Sequence, residues 1–172
     1  MRRMDSSMGE RNPHAPEELS RFEFLIGEWR FTARVKVADG SHETFEGTWV
    51  GRYILDGYAI ADEYRMTGAT GEVVVMGMNF RTYDGAKRVW NIRWLNGLTG
   101  TWANLVLEEM GGVVFGERTV TYAFKEPTGD HAYTRATYTS VSGDHFTWRG
   151  DRSVDGESWG EFMVVEAFRE SR

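Results

Sequence analysis

Residues 28–37 alternate strictly. Trp29, Phe31, Ala33, Val35 and Val37 are apolar, and Glu28, Arg30, Thr32, Arg34 and Lys36 between them are polar. A period of two over that many residues fits a half-buried β-strand and no helix. The pattern recurs down the chain with turn residues between repeats. Asp39-Gly40, Asp56-Gly57, Asp84-Gly85 and Asp155-Gly156 each separate two such runs, and Asp-Gly is a strong hairpin signal. Strands are expected at 28–37, 43–54, 58–67, 72–82, 88–95, 101–109, 117–124, 131–141, 145–150 and 159–169. About ten short antiparallel strands at regular spacing imply a sandwich or a barrel. Hairpins between sequence neighbours favour an up-and-down barrel, since a Greek key needs long returns.

Ahead of the first strand, Pro16, Glu17 and Glu18 suit the first turn of a helix, with Leu19, Phe22, Leu25 and Ile26 on one side and Gly27 as its stop. So short a helix needs a core to cap. Residues 1–14 are polar and aperiodic and read as a mobile, disordered tail, leaving 15–172 as one domain.

Composition narrows the function classes. The net charge of −6 and the absence of a Lys/Arg stripe argue against nucleic acid or an anionic membrane as partner. With no Cys, thiolate chemistry and disulfides drop out. No apolar run reaches the ~18 residues of a membrane helix, and no apolar segment follows Arg2 and Arg3, so a cytoplasmic protein is expected. His14, His42, His131 and His145 lack metal-ligand spacing, so neither metal nor cofactor is expected. Gly156-Glu157-Ser158-Trp159-Gly160 matches G-x-S-x-G, but a strand follows instead of a helix and no His comes after it.

Seven Trp, seven Tyr and ten Phe must be housed. Parity along the strands gathers Trp49, Tyr64, Met76, Met78, Trp90, Trp94, Tyr122, Tyr138 and Trp148 as an aromatic and Met wall, a lining that suits a small apolar or aromatic ligand. Pairing Thr82 with Arg88 would set Phe80 against Trp90, Met78 against Ile92 and Met76 against Trp94, one apolar face on both strands. Asp62, between Ile60 and Tyr64, and Glu161, between Trp159 and Met163, fall in phase with apolar residues. If they face inward they must be paired or protonated, with Arg118 or Arg135 as partners, and they are the candidate catalytic groups. Asn104 is a further polar candidate on a strand whose two faces are both apolar.

Several motifs resemble known barrels. The apolar turn followed by Gly27-Glu28-Trp29 is similar to the G-x-W start of lipocalins and other calycins, which implies that Trp29 closes one end under an Arg from the last strand, Arg169 here. Some barrels with a similar start bind haem through one His on a late strand, and by that resemblance His145 is the candidate here. F-E-F-L-I-G-E-W-R at 22–30, L-D-G-Y-A-I-A-D-E-Y at 55–64, Y-D-G at 83–85 and S-V-D-G-E-S-W at 153–159 resemble a bacterial domain-of-unknown-function family (number 1579) with a lipocalin-like barrel. The resemblance implies an all-β, single antiparallel up-and-down calycin barrel and carries no activity with it. Three readings follow. The first is a binder of a small, largely apolar molecule. The second is an isomerase, cyclase or hydrolase using a buried carboxylate and Tyr. The third is a filled structural module whose exposed aromatics form a homodimer.

Overall fold

Eleven strands make one antiparallel sheet in the computed structural model, which describes residues 8–125 and 132–171. They are β1 (Gly27–Lys36), β2 (His42–Ile54), β3 (Ala59–Thr67), β4 (Val73–Asp84), β5 (Val89–Asn96), β6 (Thr101–Asn104), β7 (Val114–Phe115), β8 (Val120–Lys125), β9 (Tyr133–Thr139), β10 (His145–Ser153) and β11 (Gly160–Arg169). Their order across the sheet is β6-β5-β4-β3-β2-β1-β11-β10-β9-β8-β7. Every pair except β1 with β11 joins sequence neighbours, the up-and-down order that the Asp-Gly turns imply. The expected strand at 101–109 stops at Asn104 and gives way to a 3₁₀ turn, Glu108–Met110, and β7 is an added two-residue strand. The turn expected at 127–130 and His131 lie outside the described residues.

The sheet curls into a half-barrel whose end strands, β6 and β7, do not pair with each other. Residues 105–107 run between the two ends. The Leu105 N–H donates to the Ile92 carbonyl of β5 at 2.8 Å, and the Leu107 N–H donates to the Ala123 carbonyl of β8 at 3.1 Å.

The segment before β1 is a 3₁₀ helix, Glu17–Leu25, whose Leu19, Phe22 and Leu25 are completely buried. Phe22 inserts edge-on between Trp90 (4.9 Å) and Phe115 (5.4 Å), so the helix plugs one end of the curl. Each of these side chains contributes roughly 1.5–3 kcal/mol by leaving water. Residues 8–14, part of the expected tail, lie against this end. Met8 is buried, and the Asn12 N–H donates to the Gly57 carbonyl at 3.1 Å.

Trp29 follows the plug and is fully buried, its Nε1 donating to the Leu25 carbonyl at 3.1 Å. The Arg169 guanidinium lies 4.2 Å from the centre of its ring. Arg169 also donates to the carbonyls of Ile26 (2.6 Å) and Gly143 (2.6 Å), tying the last strand to the plug. This is the Trp–Arg arrangement that the G-x-W resemblance implied. Gly27 makes it fit: its φ is +125°, and a Cβ there would lie 2.1 Å from Arg169 Nη1.

Two departures from strict alternation decide which side chains face inward. On β4, the Asp84 carboxylate accepts from the N–H groups of Ala86 and Lys87 at 3.0 Å each, and the strand runs on to pair Asp84 with Val89. The pairs are therefore Tyr83 with Trp90, Arg81 with Ile92 and Asn79 with Trp94, and the expected pairing of Phe80, Met78 and Met76 with these partners does not occur. On β11, Gly150 faces Met163 but Asp151 faces Glu161, so Phe162 is an extra, bulged residue. Such a bulge exchanges the faces beyond it.

Replacing Gly27 by Ala is expected to destabilise the fold by about 1–3 kcal/mol, because it adds a strained φ and displaces Arg169. Urea unfolding measures this; an unchanged midpoint would show that the Trp29–Arg169 contact does not constrain this end.

Candidate functional site

Asp62 on β3 and Arg81 on β4 are fully buried, and they meet because both face the inside of the curl on adjacent strands. Arg81 Nε donates to Asp62 Oδ2 at 2.8 Å and Nη2 to Oδ1 at 3.4 Å. Trp49 Nε1 and Asn79 Nδ2 also donate to Oδ1, at 2.7 and 2.8 Å. The carboxylate thus accepts four N–H groups, which is how a buried charge becomes tolerable. Arg81 spends its remaining reach on two hydroxyls, Tyr122 at 3.3 Å and Tyr138 at 3.2 Å, and its guanidinium lies 4.7 Å from the Phe22 ring centre. Burial works against its charge, but Asp62 and the two tyrosines beside it hold its pKa well above the usual value. The pair of partners expected for Asp62, Arg118 and Arg135, are engaged elsewhere: Arg118 with the carbonyls of Val141 and Ser140, Arg135 with Asp151.

This network forms a floor between the plug and a cavity of about 410 Å³, within the range of small-molecule sites, roughly 300–1,000 Å³. Trp49, Tyr64, Trp94, Tyr122, Tyr138 and Trp148 line it, all six of them expected from strand parity. Tyr64 stacks on Phe31 at 4.7 Å and meets Trp49 edge-on at 5.2 Å, so the wall is braced from behind. Burial pushes the hydroxyls of Tyr64 and Tyr138 up in pKa.

The other expected site residues lie elsewhere. Asp62 is buried within the floor and does not line the cavity; Trp49 and Asn79, which do, donate to it. Met76 and Met78 belong to the outer face of β4, since Gly77, Asn79 and Arg81 take the buried positions. On that outer face Phe80 meets the exposed Trp102 at 5.7 Å. Trp90 packs against the plug. Asn104 is exposed opposite Arg93. The Phe162 bulge turns Glu161 outward, 3.9 Å from both His42 and Arg149, and turns Phe162 into the cavity in its place. His145 pairs with Glu166 at 2.7 Å and does not line the cavity. Ser158 is exposed in the β10–β11 hairpin, its N–H held by Asp155.

Asn79, Arg81 and Arg152 are the functional candidates that parity did not single out. Asn79 and Arg81 stand two apart in phase with Tyr83, a polar face that a buried Asp62 requires. Arg152 is in phase with Phe146 and Trp148, but its strand was expected to end at Gly150. In the cavity wall the Asn79 Oδ1 and the Arg152 Nε are buried without a hydrogen-bond partner. Among the described residues no group of three or more His, Cys, Asp or Glu could hold a metal, and no helix is long and apolar enough to cross a membrane.

No family model matches the chain, and no curated protein matches it. Solved structures do. Rv2717c from M. tuberculosis superposes with a TM-score of 0.62 at 9% identity, over 91% of this chain and 99% of that one, which shows a shared fold. A redesigned β-barrel, mFAP0, bound to DFHBI, gives a TM-score of 0.42 at 15% identity, over 85% of this chain and 99% of that one, too loose a likeness to carry an argument.

Arg81→Met would leave Asp62 charged and unpaired and is expected to cost about 3–5 kcal/mol in chemical denaturation. The double variant Asp62→Leu/Arg81→Met should recover much of that loss, and strictly additive losses would contradict the pairing. The tyrosines give a pH test. Tyr64 and Tyr138 have raised folded pKa values, so their contribution to stability is complete below the ordinary tyrosine value of about 10 and is lost as pH rises through the folded values. Of the seven tyrosines, Tyr53, Tyr64 and Tyr138, whose hydroxyls burial pushes up, should show phenolate absorbance only when alkali unfolds the chain. Ionisation of all seven near pH 10 (about the free value) with the fold intact would contradict their burial.

Proposed function

We propose that this chain is a binding protein for a small, largely apolar molecule, aromatic or acyl in body, held in the cavity of a lipocalin-like, calycin-type barrel. The single observation that carries the reading is the cavity itself: about 410 Å³, walled by aromatic rings above a sealed polar floor. An apolar ligand there gains by burial and by stacking on rings that are already packed in place, so little ordering cost remains for binding to meet. The Asn79 Oδ1, with its Nδ2 committed to Asp62, offers one acceptor to orient a ligand hydroxyl or N–H.

The geometry favours binding over acid–base catalysis. A general base must reach the proton that it removes. Asp62 is surrounded by donors within the floor, and Glu161 points away from the cavity. The membership of the bacterial unknown-function family that the motifs suggest favours neither reading, because the resemblance carries no activity with it.

Native mass spectrometry of the purified protein, followed by denaturing extraction, tests the reading. A mass excess that releases a defined small molecule is the expected result. A bare chain that also fails to take up a neutral fluorescent probe, N-phenyl-1-naphthylamine, would overturn it.

A further inference from the structure

Among the described residues Arg152 is the one charged side chain in the cavity wall, and no Asp or Glu lines it. Among the described residues, none of the ion pairs includes Arg152. Its guanidinium rests 4.1 Å from the centre of the Phe162 ring, which the β11 bulge has turned inward, and its Nε is buried without an acceptor. The other arginines of the interior are saturated by comparison: Arg81 by Asp62 and two hydroxyls, Arg169 by backbone carbonyls. A guanidinium that is held on an aromatic shelf, half out of water and short of an acceptor, is a site for an acid. Its planar fork matches a carboxylate or sulfonate oxygen pair, and such charge-assisted bonds are the strong ones.

We infer that the ligand is an organic anion, an apolar and largely aromatic body with one acidic group, and that Arg152 binds that group. This rests on the binder reading above and names its ligand class. The body lies against Trp49, Tyr64 and Trp148, and the acid supplies the acceptor that the chain withholds from Arg152. The protein's overall field does not attract such a ligand, because the chain carries a net charge of −6. A preference for anions must therefore arise locally.

A matched pair of fluorescent probes tests this on the full chain. 1-Anilinonaphthalene-8-sulfonate and N-phenyl-1-naphthylamine share a body and differ in the acidic group. The intact protein should bind the anion at least about tenfold more tightly than the neutral probe. Arg152→Gln should abolish that preference while leaving the neutral probe bound, and Arg152→Lys should keep part of it. In the unaltered protein, naphthalene-2-carboxylate should displace the bound sulfonate and naphthalene-2-carboxamide should not, a readout that needs no variant to fold. Equal binding of the two probes, a preference that survives Arg152→Gln, or displacement by acid and amide alike would overturn the anion assignment and leave the cavity reading standing. Failure of both probes to bind would overturn the cavity reading, and this inference with it.

Discussion

Two full charges, Asp62 and Arg81, sit out of reach of water, and the inside of the curl is arranged around keeping them satisfied. The arrangement draws on five strands. Trp49 comes from β2, Asp62 from β3, Asn79 and Arg81 from β4, and the tyrosine hydroxyls from β8 and β9 on the far side of the sheet. An isolated buried ion would cost several kcal/mol, so the fold holds only if these strands are in register together. The same guanidinium faces the Phe22 ring on its other side. The plug, the floor and two distant arms of the sheet therefore meet at one residue.

That floor explains why a cavity stands above it. The tyrosines are anchored by their hydroxyls to Arg81, and Trp49 is anchored by its indole N–H to Asp62, so their rings cannot swing in to fill the space. Behind them Phe31 and Phe146 brace the rings from the sheet side. In the cavity wall Phe162 and Trp148 meet edge-on at 6.3 Å, and the Phe162 ring carries Arg152. Among the described residues the wall carries one cation, Arg152, and one buried acceptor without a partner, the Asn79 Oδ1.

How much of this was legible in the sequence follows the local physics of each strand. Period-two alternation with Asp-Gly turns placed most strands and their hairpin order, and it put Trp49, Tyr64 and Trp148 on the right wall, because β2, β3 and the first part of β10 run unbroken with an apolar inner face. It failed on β4, where the inner face is the polar one. Asp62 demands Asn79 and Arg81 inside, and Met76, Met78 and Phe80 are left to the outside, where the apolar-in rule would not put them. It failed again at Glu161, because a bulge leaves no mark in composition or period. The Trp29–Arg169 contact was legible only through the resemblance of Gly27-Glu28-Trp29 to the G-x-W start of other barrels; the room that Gly27 leaves for Arg169 shows in the structure. The open seam between β6 and β7 was not, because residues 105–107 bond to both edges through backbone groups that any sequence carries.

If the space above the Asp62–Arg81 floor is a ligand cavity with Arg152 as its anion contact, a crystal of the protein soaked with 1-anilinonaphthalene-8-sulfonate will show it. The naphthalene body should lie between the Trp49 and Trp148 rings, with the sulfonate on the Arg152 guanidinium and the Asp62–Arg81 pair unmoved beneath. A cavity closed by Trp94, Trp148 or Phe162 side chains, or a probe bound only on the outer face near Trp102, would contradict it.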